Sequence, residues 1–578
     1  MIQRTRGFVV FLALFIALGA PSRAAAPSPG YGSRGMVVAS ESEAARAGRA
    51  MFERGGNAVD AAIASAFALA VTQPFSAGLG GGAFILIRTG LGEVWAVDAR
   101  ETAPAAATRD MYRQPGVPAD ASLVGPLAVA TPGFVAGCVV ALERWGSLPL
   151  AQVLAPAIAL AEQGFPIGRY HARMIEAMRA RGVQTRFPET ARIQFPPEGT
   201  LARPGWRLVQ PELATTLRQI AADSLVFYRG DLAAKIVESV RSRGGILTAD
   251  DLAAYQPVIR DPVIASYRGY RIYTFPPPSS GGLALVEALN LLEGFKLAPL
   301  GAGSSASVHR IVEALKLSFA DTLAYVGDPD FVKVPAAALS DKQYAAKLRK
   351  RIDPTPSAWY QRAPWRWFEG QQPLHVVGPG LPARDAGTTH LSTSDAAGNA
   401  VALTMTINTP YGSGITAGHT GILLNNEMDD FATAPDKPNT YGLVDTRGAN
   451  AIAARKRPRS SMSPTIVEKD GSLFMVTGSP GGPKIISTTL LSLLNVIDYG
   501  MDASEAVSAP RFHHQWTPDV LYLEPETPRD VVDALKARGH QVVVEESDWS
   551  AAEAIVVEPS GAIWGGSDPR RDGLAAGY

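Results

Sequence analysis

"RDAGTTHLSTSDAAGNAVALTMTIN", residues Arg384 to Asn408, is the stretch on which the fold turns. Two strand-like runs, "HLSTS" and "AVALTMTIN", flank the turn "DAAGN", the pattern of a β-hairpin. Strand residues two apart share a face, so Val401, Leu403, Met405 and Ile407 face a core. Thr404, Thr406 and Asn408 then line the opposite face, which is open to Thr388 at the head of the hairpin. Alternation of this kind is what any half-buried strand shows, and threonine is a good strand former. A chemical role needs more than the hairpin.

The segment before it supplies more. Asp353 to Gly387 is polar, rich in proline and without periodicity, which reads as an exposed, functional or cleavable connector. A threonine hydroxyl is a weak nucleophile until a base takes its proton. A cut between Gly387 and Thr388 would free an α-amine with a reference pKa of about 7.7–8.0. That amine can serve as base for its own hydroxyl. Glycine at 387 lets the backbone distort for attack on the preceding carbonyl.

The chain has 578 residues, long enough for several domains or one large one, with 46% hydrophobic and 19% charged residues. Lys+Arg and Asp+Glu are equal at 54 each, so no basic excess points to nucleic acid or an anionic membrane. The opening "MIQRTRG", the short apolar run "FVVFLALFIALGA" and the small residues near Ala24–Ala26 read as a signal peptide over residues 1–26. That run is shorter than the ~20 residues of a spanning helix, so the expectation is an exported protein, periplasmic or secreted, without a stable anchor. The single cysteine, Cys138, lies among apolar helical neighbours and reads as a buried hydrophobe.

Met36 to Pro74 reads as helical, with Asn57 capping "NAVDAAIASAFALAV", and "GLGGGAFILIRTGLGEVWAVDARE" reads as a hairpin ending at Arg100. Helical patterns dominate from Thr131 to about Arg351. After the connector, "GILLNNEMDDF", "TIVEKDGSLFMVTGS" and "EAIVVEPSGAIWGG" read as strands, with one helix, "KIISTTLLSLLNVIDYG", among them. The histidines have no HExxH spacing, no G-x-S-x-G elbow is present, and "GSPGGPK" fails the phosphate-loop rule because Pro483 intervenes. No metal or organic cofactor is expected. Gly481 and Gly482 in that loop, before a helix, can instead offer consecutive N–H donors to an oxyanion.

"GTTH", "ILLNNEMDDF", "RPRSSMSPT", "TGSPGGPKI", "SAPRFHHQW" and "GSDPRRDGLAAGY", with upstream "GGNAVDAA", "GLGGGAF" and "DARETAPAAA", resemble the γ-glutamyltranspeptidase family in its order from about Gly35 to Tyr578. The resemblance implies an α+β N-terminal-nucleophile hydrolase, a four-layer αββα sandwich. It implies one precursor that cuts itself into a large subunit (27–387) and a small subunit (388–578), which stay associated as a heterodimer. Residue by residue, it makes Thr388 the nucleophile, Thr406 its assistant in self-cleavage, and Gly481 and Gly482 the oxyanion donors. Arg100 matches the grip on the glutamyl α-carboxylate, a task suited to a bidentate guanidinium, with Ser460 and Ser461 beside it. Asn408, Glu427 and Asp430 match the holders of the α-ammonium, and Tyr441 the tyrosine of a lid loop, "APDKPNTYGLVDTR". The implied activity is hydrolysis of glutathione and other γ-glutamyl compounds, or transfer of the γ-glutamyl group to amino acids or peptides. The alternatives are a cephalosporin (glutaryl) acylase of the same family, whose substrates lack the α-ammonium, and a catalytically silent exported binding protein.

Overall fold

A computed structural model of the chain describes residues 26–352, 387–434 and 437–578. The signal-peptide reading of residues 1–25, most of the connector, and positions 435–436 of the lid reading lie outside them.

The hairpin forms as Thr388–Asp395 and Ala400–Thr406, with Thr388 directly opposite Thr406. It sits inside a seven-stranded antiparallel sheet of order Leu574–Gly577, Gly35–Ala39, Thr388–Asp395, Ala400–Thr406, Gly82–Arg88, Val94–Ala99, Val258–Arg260. A second antiparallel sheet runs Gly30–Gly32, Ile563–Ser567, Glu553–Val557, Ser472–Gly478, Thr465–Lys469, Tyr270–Thr274, Val263–Tyr267.

Both faces of the central strands are buried, and alternate side chains go to different apolar clusters. In the first sheet Val37, Ile85, Leu403 and Met405 pack with Phe67 and Phe134 of the helices Ala58–Thr72 and Phe134–Trp145. Met36, Val38, Phe84, Leu86 and Ala402 point the other way, onto Ile466, Val476 and Ile555 of the second sheet. Phe84 stacks on Phe275 across that interface at 4.0 Å between centroids. Burying one such ring stabilises by about 1.5–3 kcal/mol. The far face of the second sheet, with Ile272, Val467 and Met475, meets Leu285, Leu315 and Leu490 from the helices Ser280–Leu292, Ser305–Tyr325 and Lys484–Ile497.

The expected cap at Asn57 forms: its side chain accepts from Val59 and Asp60 while Asp60 accepts from the Asn57 N–H. That helix is buried on all sides, as its uniformly apolar sequence requires. Three expectations are corrected. Gly35–Ala39, read as the start of a helical region, is a strand, since "GMVVA" fills both faces and carries no alternation. Val258–Thr274, inside the region read as helical, holds three strands. "GILLNNEMDDF" is not a strand. Asn425 and Asn426 bind nearby backbone groups, and Glu427–Asp430 closes a single 3₁₀ turn.

Candidate active site

The hairpin's first residue pair opens the site. Thr388 Oγ1 lies 3.0 Å from Thr406 Oγ1. Thr406 Oγ1 donates to the carbonyl oxygen of Gly387 at 2.9 Å, and the Ile407 N–H approaches the same oxygen at 3.4 Å. Thr406 Oγ1 accepts from the Asn408 N–H at 2.8 Å. With that proton committed to Gly387, the Thr388 hydroxyl must be the donor in the Thr388–Thr406 contact. Thr389 turns to the opposite face and bonds Ser40. A Cβ on Gly387 would fall 2.5 Å from the Thr409 carbonyl carbon, so the position has room for glycine alone.

Asn408 ends the strand in a left-handed conformation, φ 75°, which asparagine tolerates. Its amide is oriented by Nδ2 donating to Asn426 O at 2.9 Å, which leaves Oδ1 to accept from Tyr441 Oη at 2.7 Å. Arg100 follows the strand Val94–Ala99 and is wholly buried. Its Nε and Nη2 donate to Pro458 O and Arg459 O, and its two Nη atoms pair with Glu427 and Asp430. Those carboxylates converge because positions three apart eclipse in a 3₁₀ turn. Their charge keeps the guanidinium protonated despite its burial.

Ser460 and Ser461 line the same cavity, where the Ser460 N–H donates to Pro278 O at 3.1 Å and Ser460 O accepts from the Ser280 N–H at 2.7 Å. Tyr441 lines the cavity as well, and a Cβ on Gly482 (φ 58°) would meet its ring at 3.0 Å. Gly481 (φ 130°) faces Ser550 Oγ at 2.1 Å from its own would-be Cβ, and it is not among the residues lining the cavity, whereas Gly482 is. Both adopt φ values that favour glycine. The cavity measures about 20 Å³, room for a water or two. One pocket thus gathers Thr388, Thr406, Asn408, Arg100, Glu427, Asp430, Tyr441, Ser460, Ser461 and Gly482.

Two residues went unassigned in the sequence. Arg459 lines the cavity and donates to Leu323 O and Val444 O, both at 3.0 Å, and burial lowers its pKa. Glu101 lies 3.6 Å from Arg100, wholly buried, with neither carboxylate oxygen bonded to a donor among the described residues. Burial pushes its pKa up to about 7 against the pull of Arg100. A raised folded-state pKa contributes stability that is present at low pH and lost as pH rises through about 7. Glu101→Gln mimics the protonated form, so its thermal stability relative to the parent should rise between pH 5 and pH 8. An equal difference at both pH values contradicts this.

Away from the cavity, His309, Glu313 and His540 form a buried group of metal-ligand type, but Lys316 already pairs with Glu313 at 2.8 Å and supplies the cation. The group of half-buried Glu189 and Glu212 with exposed His419 is likewise served by Arg192.

The model of the family described as gamma-glutamyltranspeptidase matches residues 44–578. A glutathione hydrolase proenzyme of Escherichia coli (strain K12) is 44% identical over 95% of this chain and 93% of its own length. An acylase ACY 1 proenzyme of Pseudomonas sp. (strain V22) is 39% identical over 94% of each chain. The crystal structure of a cephalosporin acylase from Bacillus halodurans superposes with a TM-score of 0.81 at 30% identity, over 98% of this chain and 99% of that one.

Proposed function

The chain belongs to the γ-glutamyltranspeptidase family, and from that membership we propose that it is a glutathione hydrolase and γ-glutamyltransferase working through Thr388. The observation that carries the substrate class is Arg100 flanked by Glu427 and Asp430 in one cavity with Thr388. A γ-glutamyl head carries an α-carboxylate and an α-ammonium. On entry its carboxylate takes over the guanidinium while its ammonium takes over the released carboxylates, so every buried charge keeps a partner. A glutaryl group has no ammonium and would leave buried carboxylates unpaired, at about 3–5 kcal/mol. This favours the γ-glutamyl reading over the acylase one, although acylases stand among the relatives.

Maturation follows from the contacts at Gly387. Thr388 Oγ1 adds to the Gly387 carbonyl carbon while Thr406 and the Ile407 N–H hold the developing oxyanion. The Gly387–Thr388 C–N bond breaks, the nitrogen takes a proton and becomes the α-amine, and water hydrolyses the resulting ester. The products are subunits of residues 27–387 and 388–578, joined in a heterodimer. The proenzyme names of the relatives and the placement of both hairpin strands inside one sheet with Gly35–Ala39 support this reading. In turnover the α-amine takes the Thr388 hydroxyl proton, Oγ1 attacks the γ-carbonyl, and the N–H groups of Gly481 and Gly482 receive the oxyanion. The amine product leaves with the proton, and the γ-glutamyl ester passes to water or to an amino acid or peptide. Ser460 and Ser461 add hydrogen bonds to the α-carboxylate, Asn408 joins Glu427 and Asp430 at the ammonium, and Tyr441 closes the cavity above them.

The three apolar clusters, helices on sheet, sheet on sheet, and sheet on helices, support reading the whole as a four-layer αββα sandwich. The amino-terminal leader supports export to the periplasm or medium, and no helix among the described residues is long and apolar enough to cross a membrane.

Incubation with glutathione should release glutamate and cysteinylglycine, while a glutaryl amide of matched size should remain intact. The reverse preference would make the chain an acylase. Thr406→Ala should slow self-cleavage about 10²-fold, the usual cost of one oxyanion donor, seen as persistence of the uncut chain on a denaturing gel. Cleavage at the parental rate would remove Thr406 from that role.

A further inference from the structure

The "HHQ" of "SAPRFHHQW" has no part in the chemistry above, yet it lies between the lid tyrosine and the helix that follows the glycine pair. Gln515 Nε2 donates to the backbone oxygen of Tyr441 at 2.9 Å and approaches Thr517 O at 3.4 Å. Both amide protons thus face carbonyls, which fixes the orientation of the amide. Its Oε1, 3.0 Å from His513 Nε2, must accept, so His513 carries its proton on Nε2. His513 Nδ1 is then an acceptor, and Ser487 Oγ, 2.9 Å away in the first turn of the helix Lys484–Ile497, shares its one proton between that nitrogen and Lys484 O at 3.0 Å. The tautomer of His513 and the orientation of the Gln515 amide each have one assignment along the chain Ser487–His513–Gln515–Tyr441. All four residues are buried, His513 and Ser487 completely.

At its far end Tyr441 hydroxyl-bonds Asn408, whose N–H reaches Thr406, which contacts Thr388. The Tyr441 ring lies against Gly482, two residues before that same helix. The lid tyrosine is therefore held from both sides: by its hydroxyl to the nucleophile strand, and by its carbonyl to the oxyanion helix.

We propose that Gln515, oriented by His513 and Ser487, is a positioning residue that straps the Tyr441 backbone over the γ-glutamyl cavity and so sets substrate affinity. The proposal rests on the function given above. Gln515 is not itself among the residues lining the cavity and acts through Tyr441, which is.

A double-mutant cycle tests it. Gln515→Leu should raise KM for a γ-glutamyl donor about 5- to 10-fold, the worth of one hydrogen bond, with kcat within about 3-fold of the parent. In a Tyr441→Ala background the same change should move KM by less than about 2-fold, because the residue it acts through is gone. Hydrogen exchange at residues 439–446 should lose protection in Gln515→Leu whether or not the protein is active. If Gln515→Leu does not fold, Gln515→Glu keeps the shape while removing the donor to Tyr441, and the same outcomes apply. Unchanged KM with unchanged exchange, or equal KM effects in both backgrounds, overturns the proposal. An inactive parent whose 439–446 exchange still depends on Gln515 would leave the strap standing and refute the assigned function instead.

Discussion

Thr388→Ala should leave the protein as one uncut chain and lower turnover of γ-glutamyl substrates by about 10³-fold or more. Both effects have one origin. In the proposed mechanism the hydroxyl that attacks Gly387 in maturation is the one that attacks the γ-carbonyl in turnover, and the first attack creates the amine that activates the second. The fold should survive. Thr388 is buried, but among the described residues its hydroxyl bonds only Thr406, and the hairpin is held by neighbours on both sides of the sheet. A melting temperature near that of the parent, with both functions lost, separates chemistry from packing. Residual cleavage at the same bond would show that another group carries it.

Arg100→Lys should lower kcat/KM by about 10²- to 10³-fold, mostly through KM. Lysine keeps the charge, so Glu427, Asp430 and Glu101 do not become an uncompensated buried cluster, which Arg100→Ala would produce. What lysine lacks is the planar fork. In the structure that fork serves two carboxylates and two carbonyls, Pro458 O and Arg459 O, at once. An ammonium has three donors and no fixed plane, so the substrate carboxylate would lose its bidentate partner. Self-cleavage should proceed in this variant, because the Arg100 guanidinium is hydrogen-bonded to Pro458, Arg459, Glu427 and Asp430 and not to Gly387, Thr388 or Thr406. If cleavage fails together with binding, Arg100 supports the local fold rather than the substrate.

The parts of the fold that were legible in the sequence are those with a clean period. Leu403, Met405 and Ile407 alternate with Thr404, Thr406 and Asn408, so the hairpin and the shared face of Thr388 and Thr406 could be read directly. Gly35–Ala39 could not, because a short strand buried on both faces looks like any apolar run. The turn at Glu427–Asp430 was hidden for a different reason. Its geometry comes from Asn425 and Asn426 binding backbone more than 290 residues away, at Ala130 and Leu123, which no local pattern signals. The substrate-binding part of the site was legible only through family resemblance. Arg100 and Glu427 are 327 positions apart, and their pairing depends on tertiary structure alone. Glu101 was missed because adjacent strand-end residues ordinarily diverge, whereas here both side chains turn inward beside Gly82, where a Cβ would meet the Glu101 carboxylate at 2.3 Å.

The most direct test is N-terminal sequencing, with intact-mass measurement, of the purified protein. The account predicts two chains that copurify, the smaller beginning TTHLST and ending at Tyr578. A single uncut chain that hydrolyses glutathione, or a cut at any other bond, would contradict it.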